Sequence, residues 1–292
     1  MQNRSENKNK NKGTLYIVGT PIGNLGDITL RAIETLKSVD VILAEDTRQT
    51  LKLLNRFDIQ KHLVSYHRHN EDDKIQKVVE FLDAGKNLAL VSDAGMPIIS
   101  DPGQNLIKYL IENNYDIITI PGVTAVITAI VKSGFDSTRF TFEGFLSVNK
   151  KQRKQRLESL KNETRTMVFY EAPHKILATL KDMKNYFGNR NICIARELTK
   201  IHEEYLYLTI DEAIEKIESV GIKGEIVLII QGADENELNE SKKYEINNIS
   251  VVELVKENIK NGLSKKDAIK EVAKLKGVSK NEVYKECIDL VE

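Results

Sequence analysis

The sequence predicts an α/β protein made of two α/β domains and a small helical module. Up to about residue 125, short apolar segments alternate with helical patterns, which is typical of a mainly parallel sheet covered on both faces. Beyond that point short strands follow one another without a crossover helix, which indicates antiparallel pairs and a mixed second sheet. The last part carries helical patterns with capping boxes predicted at Ser264 with Asp267 and at Ser279 with Glu282.

The 292 residues are too many for one typical domain and fit two domains with an appendage. We expect a disordered basic tail, because the first residues are polar and show no apolar periodicity. We expect a linker where the composition turns polar again. The predicted boundaries are 1–12 for the tail, 13–125 for the N-terminal α/β domain, 126–232 for the C-terminal α/β domain, 233–248 for the linker and 249–292 for a helical module of helix-turn-helix type.

Composition excludes several classes of partner. Lys plus Arg and Asp plus Glu each total 43, so the formal net charge is zero and any RNA contact must come from a local patch. Charge is also balanced in the helical module, so no DNA partner is expected. No apolar segment approaches the roughly 18 residues of a membrane span, so no membrane partner is expected. Cys193 and Cys287 lack metal-ligand spacing, which predicts reduced core thiols in a cytoplasmic protein without a metal.

The stretch at 92–103, S-D-A-G-M-P-I-I-S-D-P-G, is the strongest candidate for a ligand-binding loop. It follows a predicted strand at 88–91, and ligands of α/β sheets bind at the carboxyl ends of strands. Asp93 and Asp101 would repel a phosphate but suit a cationic or hydroxyl-bearing ligand. We expect Asp101 to cap the next helix, with Pro102 at its first position. An ordinary strand-to-helix turn is the alternative for this loop.

Other predicted strands also end in candidate loops. Residues 19–24, G-T-P-I-G-N, lack the G-x-G-x-x-G spacing of a dinucleotide site. Residues 45–48, E-D-T-R, and 67–69, H-R-H, follow the next two strands, where a surface ion-pair cluster and inert histidines are the alternatives. Residues 121–125, P-G-V-T-A, open a helix whose N-terminal amides can hold polar groups of a cofactor.

The clearest basic patch lies at 150–165, where seven Lys or Arg residues accompany two Glu residues. A solvated helix face is the usual explanation of such a pattern. On a chain with no net charge, however, this one-sided segment is the first candidate for contact with an RNA backbone. We therefore predict RNA contacts at Lys151, Arg153 and Lys154.

Seven motifs, in this order, resemble the tetrapyrrole methylase family, and within it the branch of small-subunit ribosomal RNA methyltransferases. They are V-G-T-P-I-G-N-L-G-D-I-T at 18–29, A-E-D-T-R at 44–48, S-D-A-G-M-P-I-I-S-D-P-G at 92–103, P-G-V-T-A at 121–125, E-G-F-L at 143–146, F-Y-E-A-P-H at 169–174 and A-R-E-L-T-K at 195–200. The resemblance covers about residues 13–232, and the helical tail resembles an extension found in many members. It implies the two-domain fold of that family.

The resemblance also implies a function: S-adenosylmethionine-dependent methylation of a cytidine ribose 2′-hydroxyl near the decoding centre of 16S rRNA, in the small ribosomal subunit, by a cytoplasmic homodimer. Relatives that methylate porphyrin-like rings carry G-x-G-P-G-D after the first strand, whereas residues 19–24 lack the terminal acid. This departure argues against a tetrapyrrole substrate. Met96 stands where the branch has Thr, and its thioether still fits an apolar cofactor wall.

The expected cofactor residues come from the loops of the first domain and, by resemblance, from those of the second. They are Pro21, Asp93, Ala94, Gly95, Met96, Pro97, Thr124 and Ala125, together with Tyr170, Glu171, Ala172, Leu198, Gly224 and Glu225. A ribose hydroxyl is a poor nucleophile, so we expect a general base. Asp46 is the first candidate, followed by Glu45 and His67. Arg48 and Lys200 are expected to orient phosphate.

Two other functions fit parts of the sequence. One is a methylase of the same fold acting on a corrinoid, a porphyrin or a protein side chain, which the missing acid after the first strand and the basic segment disfavour. The other is a non-catalytic RNA-binding or assembly factor that has kept the fold. The intact loops at 92–103 and 121–125 argue against it, and cofactor binding would separate it from both methylases.

Overall fold

The structure is a computed structural model that describes residues 12–68 and 71–288. The chain divides into two compact units, 1–231 and 232–292. The predicted basic tail up to residue 11, and His69 of the H-R-H loop, lie outside the described residues.

The first unit begins with a five-stranded parallel sheet. Its strands are β1 (Thr14–Val18), β2 (Val41–Ala44), β3 (His62–Ser65), β4 (Leu88–Val91) and β5 (Asp116–Ile120), in the order β3-β2-β4-β1-β5. Its helices are α1 (Leu30–Ser38), α2 (Thr47–Arg56), α3 (Glu71–Asp83), α4 (Gln104–Glu112) and α5 (Ala125–Val131). The parallel sheet predicted from the alternation of strands and helices is confirmed.

Both faces of this sheet are covered, which explains why its central strands are apolar throughout. Every residue of β2 and of β4 is buried. Successive strand residues point to opposite faces. Val41 and Leu43 therefore join the core under α3 and α4, whereas Ile42 and Ala44 join the core under α1 and α2.

A second five-stranded sheet follows in the same unit, and it is mixed as predicted. Its strands are β6 (Phe140–Phe145), β7 (Thr166–Glu171), β8 (Asn191–Arg196), β9 (Glu204–Thr209) and β10 (Ile226–Ile230), in the order β6-β7-β10-β8-β9. Only β6 and β7 pair in parallel, because helix α6 (Lys150–Leu160) crosses between them. Helices α6, α7 (Ile176–Phe187) and α8 (Ile210–Val220) cover one face, and α5 packs against the other.

The second unit is helical. It contains α9 (Glu235–Asn248), α10 (Val251–Lys260), α11 (Lys265–Lys276) and α12 (Lys280–Glu286). Helix α9 occupies the segment that the sequence analysis interprets as a linker, because no glycine or proline interrupts this polar stretch. Helices α10 to α12 surround an apolar core that includes Val255, Val272 and Val283.

One of the two predicted capping boxes is complete and the other is not. Ser279 and Glu282 exchange both capping bonds, as do Ser250 and Glu253. Ser264 accepts from the Asp267 amide, but the Asp267 carboxylate accepts from the Ser264 hydroxyl at 2.6 Å instead of from the backbone. The box predicted at Ser264 was wrong in this respect, because aspartate is one methylene shorter than glutamate.

Among the described residues, no helix has the length and apolarity needed to cross a membrane.

Candidate active site

The loops after β1 and β4 are joined by backbone hydrogen bonds. The Thr20 amide donates to the Gly95 carbonyl at 2.9 Å, and the Gly95 amide donates to the Thr20 carbonyl at 3.1 Å. The Thr20 hydroxyl also donates to the Ser92 carbonyl at 3.2 Å. These hydrogen bonds hold the two glycine-containing loops together at the carboxyl end of the sheet.

Asp101 does not cap α4, so that prediction was wrong. The N-cap residue is Gly103, with a φ of 128°, and the helix begins at Gln104. The loop runs two residues further than expected because Ile98 and Ser100 adopt left-handed φ angles of 77° and 71°. The Asp101 carboxylate instead hydrogen-bonds with the Ser92 side chain and lines a cavity described below.

A cavity of about 460 Å³ lies between the loops of the two sheets. Every predicted cofactor residue lines it except Pro21 and Pro97, which are buried within their loops. Asp101 of the predicted ligand loop lines the cavity too. Several further lining residues were not expected: Ile22, Ile99, Ser100, Phe145, Pro173, Ile226 and Val227. Most of them lie inside the quoted motifs, so position within a motif was the available signal.

A cluster of carboxylates gives one side of the cavity its charge. It consists of Glu45, Asp93 and Asp101. Burial raises the pKa of each, and for Glu45 the negative charges of Asp101 and Asp93 raise it further. Such a cluster attracts a cationic or hydroxyl-bearing ligand, because partly buried carboxylates favour positive charge and hydrogen-bond donors nearby.

Asp46, the first candidate base, has a different environment. Its carboxylate accepts from the Arg48 amide at 2.9 Å and from the Arg48 guanidinium at 3.0 and 2.7 Å, and it caps α2. The guanidinium lowers the pKa of Asp46 to about 2. The Asp46 side chain is not part of the cavity lining, although its amide donates to Asp93 at 3.1 Å.

The H-R-H loop contributes through Arg68. His67 is half-buried and does not line the cavity. Its neighbour Arg68 donates to the carbonyl of Ser100, and its charge acts on Glu45 and Asp101. Arg68 belongs to the loop in which the sequence predicts a phosphate contact or an acid or base, and here it contacts the loop at 92–103.

The turn at Gly224 and Glu225 is held from behind by Glu197. Glu197 Oε1 accepts from the Glu225 amide at 2.9 Å and from Lys200 Nζ at 3.0 Å, and Lys200 Nζ also donates to Glu225 at 3.0 Å. A Cβ atom on Gly224 would lie 2.5 Å from the Glu197 carboxylate. Lys200, predicted to orient phosphate, therefore pairs with the carboxylates of Glu197 and Glu225.

The predicted RNA contacts on α6 differ in their exposure. Lys151 and Lys154 are exposed. Arg153 is not, because its guanidinium pairs with Asp182 at 2.7 Å and only 12% of its side chain is exposed. Arg156, on the same helix, pairs with Glu143.

An aromatic group lies beside the cavity. The ring of Tyr170 is 4.9 Å from that of Phe142 and 5.4 Å from that of Phe145. Burial raises the pKa of Tyr170 to about 12, so its hydroxyl stays protonated. Phe145 is 59% exposed, which leaves much of its ring available to a ligand.

Known proteins are similar to this chain in sequence and in fold. The family model of the Tetrapyrrole (Corrin/Porphyrin) Methylases matches residues 14–214. A ribosomal RNA small subunit methyltransferase I from Halalkalibacterium halodurans is 48% identical over 281 residues, 96% of each chain. A protein of the same name from Thermotoga maritima is 46% identical over 222 residues, which are 76% of this chain and 100% of the relative.

A solved structure supports the same assignment at the level of the fold. Uroporphyrin-III C-methyltransferase from Thermus thermophilus, in complex with S-adenosylhomocysteine, has a TM-score of 0.55 and 18% identity, and the match covers 75% of this chain and 97% of that one. At this identity the likeness concerns the fold alone. The family model and the close relatives go further. The chain belongs to the tetrapyrrole methylase family and, within it, to the ribosomal RNA small subunit methyltransferase I group.

Proposed function

We propose that this protein transfers the methyl group of S-adenosylmethionine to the ribose 2′-hydroxyl of a cytidine in 16S rRNA, within the small ribosomal subunit. The names of the close relatives support a ribosomal RNA substrate. The observation that carries the proposal is the cavity, which sets a cluster of carboxylates beside an apolar wall. Asn24 at the end of the first loop, where ring methylases carry an acid, favours RNA over a tetrapyrrole.

The cavity residues fit S-adenosylmethionine. Its volume lies within the range of small-molecule sites. Carboxylates such as Asp93 suit the positive charges and ribose hydroxyls of this cofactor, and the side chains of Met96, Leu198 and Val227 offer an apolar surface for adenine. S-adenosylhomocysteine bound to a protein of the same fold supports this assignment.

When bound, the cofactor supplies an electrophilic methyl group on a positively charged sulfur. The chain has to hold the ribose oxygen in line with that group, exclude water and accept the hydroxyl proton as the new O–C bond forms and the S–C bond breaks. Loops of both sheets close around the cavity and provide the positioning.

Glu45 is the residue that we assign as general base. It lines the cavity, and burial together with the neighbouring carboxylates raises its pKa, which makes it a stronger base than an ordinary glutamate. Asp46 is a poorer base, because the Arg48 guanidinium lowers its pKa to about 2. We propose that Asp46 has a structural role: it positions Arg48 and caps the start of α2.

Two exposed groups fit the RNA. The Phe145 ring can stack on a base turned toward the cavity, as aromatic side chains do with unstacked RNA bases. Arg48 keeps 85% of its side chain exposed while it pairs with Asp46, so it can reach a phosphate. We propose that Lys200 stabilises the turn at Glu225 and does not contact RNA.

The homodimer and the cytoplasmic location belong to the same proposal. Helix α5 exposes Ile127 and Val131, four residues apart on one face, and such apolar side chains suit a subunit interface. Sedimentation equilibrium should give twice the mass of the chain at micromolar concentration. A monomer over the whole concentration range would contradict the dimer.

The function is tested on small subunits from a strain that lacks the gene. After incubation with the protein and labelled S-adenosylmethionine, we expect label on one cytidine and resistance to alkaline cleavage at its 3′ phosphodiester, because that cleavage needs a free 2′-hydroxyl. Label on a base, with normal alkaline cleavage, would contradict ribose methylation. Failure to bind the cofactor would favour an assembly factor.

A further inference from the structure

The helical unit carries a row of lysines on one side of α11. Lys266, Lys270 and Lys274 are spaced four residues apart, so they lie on one face, and all are exposed. Residues on the other side, such as Ile269 and Val272, are buried in the core. Lys280 at the start of α12 lines a shallow groove with Lys270 and Lys274, and among the described residues Glu271 is the one carboxylate in that lining. We call these four lysines the lysine face.

This lysine face differs from the basic helix that the sequence singles out. In the part of the chain that the structure describes, no carboxylate forms an ion pair with any of the four lysines. On α6, by contrast, Arg153 and Arg156 are paired with Asp182 and Glu143. Like charges four residues apart repel one another on a helix, and neither Asp267 nor Glu271 of α11 forms an ion pair with these lysines, so the exposed ammonium groups are available to an anion.

The helical unit is also separable from the methylase core. It folds around its own apolar cluster. The Thermotoga maritima relative is matched along its whole length by 222 residues, so about a quarter of this chain lies outside that match. The residues that line the cavity lie between positions 22 and 227, so the helical unit is better suited to holding the substrate than to the chemistry.

We propose that the lysine face binds the phosphate backbone of the rRNA substrate. The inference rests on the proposed function, because it takes RNA as the substrate. Each lysine that neutralises a phosphate releases counterions, so binding weakens as salt rises, and removing one contact lowers the salt slope by about 1. The contact does not read sequence, so it contributes affinity to the small subunit and leaves the choice of nucleotide to the cavity.

The test compares two full-length variants with the same change in charge. One replaces three members of the lysine face: Lys266→Gln, Lys270→Gln and Lys274→Gln. The control replaces three other exposed lysines of the unit: Lys256→Gln, Lys260→Gln and Lys285→Gln. Binding to small subunits that lack the methyl group, and to protein-free 16S rRNA, is measured from 50 to 300 mM KCl, together with cofactor affinity.

For the lysine-face variant we expect at least about 10-fold weaker binding to both probes and a salt slope lower by about two to three, with cofactor affinity unchanged. The single variant Lys270→Gln should lower the slope by about one. Equal effects in the control, or wild-type binding by the lysine-face variant, would overturn the proposal. So would weaker binding to the intact subunit alone, since the partner would then be a ribosomal protein. If the wild type methylates no rRNA, the proposed function itself has failed.

Discussion

The backbones of Gly19 and Gly122 touch where β1 and β5 end. A Cβ atom on Gly19 would lie 2.8 Å from Gly122 Cα, and a Cβ atom on Gly122 would lie 2.9 Å from Gly19 Cα. Neither glycine has a positive φ. Glycine is therefore needed at both positions for steric reasons. The absence of side chains lets the loops at 19–24 and 121–125 approach each other closely beside the cavity.

Gly122→Ala should destabilise the protein by about 1–3 kcal/mol, the usual range for overpacking a tight contact. Urea unfolding monitored by circular dichroism measures the change. Gly26→Ala is the matched control, since a Cβ atom there meets only the Asn24 side chain, at 3.2 Å. Equal stability of Gly122→Ala and the wild type would show that the two loops can separate without cost.

The environments of Glu45 and Asp46 predict opposite outcomes for neighbouring substitutions. Glu45→Gln should lower single-turnover methylation of small subunits by about 10²-fold to 10⁴-fold, the usual contribution of a general base. Asp46→Asn should lower the single-turnover rate much less, because the role of Asp46 is to position Arg48. Cofactor affinity, measured by calorimetry, should survive in both.

The reverse ranking would restore Asp46 as the base. Near-normal turnover in both variants would transfer the role to His67 or Asp101, which His67→Gln and Asp101→Asn then separate. Any of these results would contradict the assignment of Glu45.

Glu197→Gln should weaken cofactor binding about 10-fold while the rate at saturating cofactor stays the same. The carboxylate holds the turn at Gly224 and Glu225, and the hydrogen bond from the Glu225 amide, followed by that from Lys200, lowers the pKa of Glu197. Loss of a charge-assisted hydrogen bond costs about 1.5–3 kcal/mol, which corresponds to roughly 10-fold or more in affinity. Glu218→Gln, which breaks the exposed pair with Lys181, is the control. A lower maximal rate with unchanged affinity would falsify this positioning role.

Asp101→Asn should raise the melting temperature at pH 7. Burial raises the pKa of Asp101 in the folded protein above the ordinary value of 3.8. The folded state then binds the proton more tightly than the unfolded state, so the ionised carboxylate reduces stability above the raised pKa. The difference between variant and wild type should shrink as the pH falls toward 3.8. Melting curves between pH 4 and pH 7 test this, and a destabilised variant at pH 7 would contradict it.

The amino-acid pattern was enough to predict the alternation of strands and helices, the two sheets and the loops that line the cavity. It was enough because apolar runs such as Leu88–Val91 have one favourable environment, the middle of a covered sheet. Most residues of the cavity lining also lie within the sequence motifs. Buried thiols at Cys193 and Cys287 followed from spacing and composition alone, and both are buried and free.

The partners of the charged side chains, by contrast, depend on how the chain folds in three dimensions. Glu45 and Asp46 are adjacent in the chain, yet one faces the cavity and the other pairs with Arg48. Asp101 is not the N-cap of α4, because Ile98 and Ser100 adopt left-handed φ angles and the loop is longer than predicted. Arg153, predicted to contact RNA, instead pairs with Asp182, which is 29 residues away in the sequence. The pairing and pKa of a charge depend on groups distant in the sequence, and local pattern does not contain them.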